Sequence, residues 1–154
     1  MRYILIGLAL LLASTAQAAD FRFGGGVGIA NSGLDQKSTA WNTELLTTLW
    51  DQPVILGYLN EGHKDNPHRK RDGVYLQGVK SFRISYAMNI DIAGGVYASA
   101  STLSTNDNLG YGNSHNLNGL LSVIVRYDRW HIELMRIVTT DNSDADVVLV
   151  GITF

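Results

Sequence analysis

Leu121-Ser122-Val123-Ile124-Val125-Arg126-Tyr127, then Asp128-Arg129, then Trp130-His131-Ile132-Glu133-Leu134 is the stretch that decides the fold. Leu121, Val123, Val125 and Tyr127 share one parity, and Ser122 and Arg126 fall on the other. After a two-residue turn the pattern resumes, with Trp130, Ile132 and Leu134 against His131 and Glu133. Strict alternation on both sides of a tight turn is a β-hairpin with one apolar and one polar face.

The same rhythm extends in both directions. Phe21, Phe23, Val27 and Ile29 alternate with Arg22 and glycines; Trp41, Leu45 and Leu49 oppose Asn42 and Glu44. From Val54 to Glu61 both parities are apolar and the faces are ambiguous. Val74, Leu76 and Phe82 oppose Tyr75 and Gln77; Met88, Ile90, Ile92, Val96 and Ala98 oppose Asn89, Asp91, Tyr97 and Ser99. Leu117 and Asn118 begin the quoted hairpin's first strand, and Val148, Val150, Ile152 and Phe154 end the chain on one parity. These are eight strands of about ten residues each. Their connections alternate in length: short at 51–53, 83–86 and 128–129, long and Asn/Asp/Ser/Gly-rich at 31–37, 62–71, 102–115 and 139–144. The expected fold is all-β, an eight-stranded antiparallel up-and-down transmembrane β-barrel of the bacterial outer membrane. Phe21, Phe23, Trp50, Tyr127, Trp130 and Phe154 sit near strand ends, as an interfacial aromatic girdle requires. A soluble lipocalin-like barrel uses the same alternation with its apolar parity inward.

Arg2, the apolar run from Ile4 to Leu12, and Ala16-Gln17-Ala18 read in order as a secretory signal peptide, residues 1–18, cleaved after Ala18. Residues 19–154 are then the barrel domain. The 154-residue chain has 16 glycines, two prolines and no cysteine, which excludes a disulfide scaffold and cysteine-based metal or redox chemistry. A net charge of -2 gives no global field for nucleic acid. An eight-stranded lumen can be filled by side chains and leaves no wide channel, so bulk transport is weakly supported.

The expected lumen network is Arg22, Glu44, Arg126, His131 and Glu133, joined by Asn42, Asn89, Asp91 and Asn118. His131 and Glu133 lie about 6.5–7 Å apart on one strand face. They read as an acid/base pair or as members of an ion-pair network with Arg22, Arg126 or Glu44. Lys64, Arg69, Lys70 and Arg71 crowd one long connection, where forked guanidinium donors and an ammonium suit lipopolysaccharide phosphates. Glu61, His63 and His68 flank them, but match no metal spacing and sit among cations. No metal or other cofactor is expected. Gly24-Gly25-Gly26-Val27-Gly28 lacks the Lys-Ser/Thr of a phosphate loop, and reads as glycines allowing curvature or close packing against bulky lumen side chains.

The layout resembles small eight-stranded outer-membrane barrels, including the lipid A 3-O-deacylase (PagL-type) family, in length, signal peptide, strand rhythm and terminal aromatic. The terminal Phe154 resembles the signal read by the barrel assembly machinery. In the deacylase family a His-x-Ser pair near the outer end of the penultimate strand, with a nearby carboxylate, forms a hydrolase triad. Here that stretch reads Arg136-Ile137-Val138-Thr139-Thr140-Asp141-Asn142. Val138 stands for the histidine, Thr140 for the serine, and Asp144 or Asp146 for the carboxylate. A hydroxyl without an adjacent base is a poor nucleophile. The expectation is therefore a non-enzymatic barrel whose partners are outer-membrane lipids and lipopolysaccharide. The alternatives are an acyl hydrolase with a displaced triad, or an adhesion or exclusion barrel acting through its loops.

Overall fold

A computed structural model describes residues 21–32, 36–65, 68–104, 112–140 and 144–154. The segment read as a signal peptide lies outside the described residues. The strands are β1 (Arg22–Ser32), β2 (Gln36–Leu49), β3 (Gln52–Asp65), β4 (His68–Arg83), β5 (Met88–Ser104), β6 (Gly112–Tyr127), β7 (Trp130–Val138) and β8 (Ala145–Thr153). Each pairs antiparallel with its sequence neighbour, and β8 pairs with β1 to close the barrel. The eight-stranded antiparallel up-and-down barrel expected from the alternation is observed. Among the described residues no helix is long and apolar enough to cross a membrane, which says nothing of crossing by strands.

Three connections are tight. Trp50 and Asp51 both take positive φ between β2 and β3, and Asp128 does so between β6 and β7. A positive φ at both central residues is the twist a two-residue hairpin needs. Between β4 and β5, Met88 O accepts from Ile84 N at 3.0 Å and from Ser85 N at 3.1 Å. Asp128 N bonds Ala87 O at 3.0 Å, tying two of these turns together.

At the other end the strands run further than composition suggests. The stretch 62–71, expected as a loop, is strand on both sides: His63 pairs with Lys70, Lys64 with Arg69 and Asp65 with His68. Likewise β5 reaches Ser104 and β6 starts at Gly112, inside the expected loop at 102–115. Ladder bonds use the backbone, so polar side chains do not end a strand that has a partner. Gly62 is the irregular point. Its φ of 78° and the register shift between Asn60 and His63 mark a bulge, held by Gly62 N donating to Asn60 Oδ1 at 2.8 Å.

Exposure alternates as the sequence does. On β7 every even-numbered residue from Trp130 to Val138 is exposed and every odd-numbered one is buried. Outward positions make an apolar belt: Val27 and Ile29, Val74 and Leu76, Ile92 and Val96, Leu121 and Val123, Ile132 and Leu134, Val148 and Val150. The expected aromatics Phe21, Phe23, Trp50, Tyr127, Trp130 and Phe154 are all exposed at the short-turn end, with Phe82 and Tyr86 among them.

The interior is mixed, with apolar side chains beside the expected polar ones. Ile55, Leu59, Leu120, Ile124, Met135, Ile137, Val147 and Leu149 pack inside with Tyr75 and Tyr97. The ambiguous strand β3 thereby resolves: Ile55, Gly57 and Leu59 face in, and Val54 and Leu56 lie on the outer parity. Apolar groups need no partner there, and the buried polar residues gather mainly towards the two ends of the barrel.

Candidate functional site

Two polar layers sit inside the barrel, one towards each end. The layer at the long-hairpin end centres on Glu61 and Arg71. Arg71 Nε lies 2.5 Å from Glu61 Oε1 and Arg71 Nη2 lies 2.7 Å from Oε2, a forked pair with both side chains buried. Ser38 Oγ donates to the Glu61 carbonyl, and Tyr97 Oη donates to Leu59 O at 3.4 Å. Asn118 Nδ2 donates to Ser99 Oγ at 2.9 Å, and the hydroxyls of Ser101 and Ser114 share a 2.6 Å bond.

The layer at the short-turn end contains Asn42, Glu44, Asp91, Arg126, His131, Glu133 and Thr153. Arg126 Nε donates to Asp91 Oδ2 at 2.7 Å and Nη1 to Thr153 Oγ1 at 3.0 Å. Arg126 Nη1 stands 3.6 Å from Glu44 Oε1, and His131 Nε2 stands 3.9 Å from the same oxygen. His131 Nδ1 is 3.2 Å from Thr153 Oγ1. Asn42 Nδ2 reaches Tyr75 Oη at 3.2 Å and Glu133 Oε2 at 3.3 Å. Between the layers Gln77 Nε2 donates to Ser122 Oγ at 2.8 Å.

Of the expected network, Glu44, Arg126, His131 and Glu133 come together in this layer. Arg22 does not join it. It is exposed, lining an open pocket of about 550 Å³ at the short-turn mouth with Leu46, Arg126, Asp128 and Arg129. β1 begins at Arg22, so its side chain reaches the rim and water. Asn89, one residue into β5, is exposed for the same reason.

The four expected loop cations divide. Lys70 is exposed, but Arg71 is 3% exposed and committed to Glu61, so it faces the lumen and not the surface. The side chains of Lys64 and Arg69, and of His63 and His68, lie outside the described residues; their backbones pair across the hairpin. Arg71 shares the parity of Tyr75 and Gln77, a signal readable in the sequence once β4 is extended upward. Glu61 carried no such signal, because β3 is apolar on both faces and the Gly62 bulge interrupts its parity.

At the stretch compared with the deacylases, Val138 points outward. Thr139 N donates to Asp144 Oδ1 at 2.9 Å and Thr139 Oγ1 to the same oxygen at 3.2 Å. This backbone bond holds the Asp144 carboxyl below its ordinary range, with Arg136, 3.6 Å away, adding to it. Asp146 faces outward beside Arg136. His131, the histidine of β7, is at that strand's opposite end.

No protein family matches the chain, and no curated protein does. Solved structures do. The chain is similar to Neisserial surface protein A (NspA), with a TM-score of 0.60 at 12% identity over 89% of this chain and 98% of that one. It is similar to the N-terminal β-barrel domain of Pseudomonas aeruginosa OprF, at 0.58 and 12%, over 86% and 97%. It is also similar to the Yersinia pestis outer membrane protein Ail in a phospholipid bilayer nanodisc, at 0.53 and 16%, over 88% and 100%. At such identities the likeness is one of fold: the chain is a small eight-stranded barrel of the type these proteins share.

Proposed function

We propose that the protein is a small barrel of the bacterial outer membrane that catalyses no reaction and contacts lipopolysaccharide phosphates through its β3–β4 hairpin. The observation that carries this reading is the apolar belt on a closed barrel whose interior is already packed. A soluble barrel has no reason to turn Val27, Ile92, Leu121, Ile132 and Val150 to water while its core is filled by other residues. Hydrocarbon is the solvent that suits that belt, and closure leaves no strand edge unpaired in it. The aromatic ring at the short-turn end fits an interface with water. With both termini and the short turns periplasmic, the long hairpins face outward.

The β3–β4 hairpin brings Lys64 opposite Arg69 and His63 opposite Lys70 at that outer end. Arg71 is not part of the phosphate-binding set, since Glu61 neutralises it. The non-catalytic reading is supported by the outward Val138, by Thr139 held on Asp144, and by the placement of His131 at the far end of β7.

Two measurements test the proposal. Heat-modifiable migration in outer-membrane fractions is expected, and a soluble periplasmic protein would overturn the membrane reading. Exchange of Lys64, Arg69 and Lys70 for Ser, at roughly 1 kcal/mol per cation near an anionic surface, is expected to weaken lipid A association on the order of 100-fold. Unchanged association would overturn the lipopolysaccharide contact alone.

A further inference from the structure

The short-turn layer holds more unspent acceptors than its donors can serve. Both carboxylate oxygens of Glu44, Glu133 Oε1, His131 Nε2 and Asn42 Oδ1 are buried and make no hydrogen bond among the described residues. Buried polar atoms are ordinarily paired, so a convergence of this kind points to a missing positive centre. Arg126 alone does not supply it: Nε bonds Asp91, Nη1 bonds Thr153 and stands 3.6 Å from Glu44 Oε1, and Nη2 makes no bond among the described residues. One guanidinium stands against three carboxylates, Asp91, Glu44 and Glu133, which leaves two negative charges uncompensated beside an imidazole.

Donor atoms of Glu44, His131 and Glu133 all lie within 4.8 Å of one another. A tetrahedral zinc with bonds of about 2.0–2.2 Å spaces its donors about 3.3–3.6 Å apart, so small side-chain rotations close the set. The wall behind these atoms is glycine. A Cβ at Gly24 would lie 2.9 Å from Glu44 Oε1, one at Gly26 would lie 3.2 Å from Asn42 Oδ1, and one at Gly151 would overlap His131 Nε2. The backbone of β1 and β8 is recessed where the donors gather. Supporting bonds are also in place: with its proton on Nδ1, His131 donates to Thr153 Oγ1 and presents Nε2, while Asn42 Nδ2 holds the second oxygen of Glu133.

We infer that this layer binds one divalent transition-metal ion, such as zinc, through His131 Nε2 and carboxylate oxygens of Glu44 and Glu133. A divalent charge balances the two carboxylates, and an imidazole with two carboxylates is a donor set that suits zinc. The layer communicates with the short-turn mouth, since Arg126 and Thr153 line the pocket there. Arg22 and Arg129 line it too and oppose cation entry into the folded barrel, so loading belongs to folding.

The test uses full-length protein extracted in detergent, unfolded with chelator, and refolded with zinc chloride or cobalt chloride alone. The expected result is one metal ion per chain after gel filtration, visible-region cobalt absorption, and a raised unfolding temperature. His131→Gln and Glu133→Gln, each shown to be folded by heat-modifiable migration, are expected to lose more than about 100-fold in affinity, and Thr153→Val about 10-fold. Wild-type protein that refolds fully and retains no metal overturns the inference, whatever the variants do. So does metal retained equally by the folded variants, which would place it elsewhere. An infrared carboxylic-acid band that persists in zinc and is removed by Glu133→Gln would also overturn it, showing a shared proton in the metal's place.

Discussion

Phe23 and Phe154 exchange two backbone hydrogen bonds, Phe23 N to Phe154 O at 3.2 Å and Phe154 N to Phe23 O at 2.7 Å. The last residue of the chain thus pairs with the second residue of β1, and both rings lie exposed in the aromatic zone at the short-turn end. The pair carries the β1–β8 seam one residue beyond β8.

Deleting Phe154 removes both bonds, each worth about 0.5–1.5 kcal/mol, and leaves the Phe23 groups unpaired at the seam. Loss of about 1–3 kcal/mol is expected in urea unfolding of the barrel in lipid vesicles. Phe154→Ala keeps the backbone pair and is expected to lose less. Equal losses would show that the ring, and not the seam, carries the effect.

The Glu61–Arg71 pair predicts a non-additive response. Removing one partner by Arg71→Ala strands a buried carboxylate and is expected to cost about 3–5 kcal/mol. The double exchange Glu61→Leu with Arg71→Met is expected to recover most of that stability, because a buried ion pair gains little over well-packed apolar groups. Unfolding of the two single variants and the double variant completes the cycle. Additive losses would mean that the pair does not act as a unit.

Asp144 predicts an acid-side transition confined to the β7–β8 turn. Its carboxyl titrates below the ordinary 3.8 in the folded chain, chiefly through the Thr139 N–H bond. A depressed folded value favours the Thr139–Asp144 contact above the ordinary value, and that contribution is lost as pH falls through the lowered one. The Thr139 amide resonance is expected to be constant at neutral pH and to shift only in strong acid. Asp144→Asn is expected to abolish that titration without unfolding the barrel, since the Arg136 contact is exposed and contributes little. A Thr139 amide that titrates unchanged in the variant would contradict the assignment.

How much was legible varies strand by strand. β7 could be read completely, because each of its side chains points to the outer face or to the lumen and nothing interrupts the period. β3 could not: Val54 to Leu59 satisfy either face, and the Gly62 bulge shifts the register beyond Asn60. The 62–71 connection looked like a loop because its residues are polar, yet ladder hydrogen bonds are indifferent to side-chain polarity once the partner strand is present. Glycines 24–26 were readable as a site of close packing, but which side chains they admit was not.

Alternation alone determined eight strands, their order of short and long connections, and the faces of His131, Glu133, Glu44 and Arg126. Parity assigns a side chain to the lumen. It says nothing of height along the axis, and nothing of which lumen groups meet. Only closure of β8 onto β1, with the register of all eight pairs, set Glu44 beside His131 and Arg126 and left Arg22 at the rim. The same registers turned Arg71 from a loop cation into the partner of Glu61. The reason is geometric: residues distant along the chain share one lumen, and a shift of two residues keeps every face while changing every neighbour.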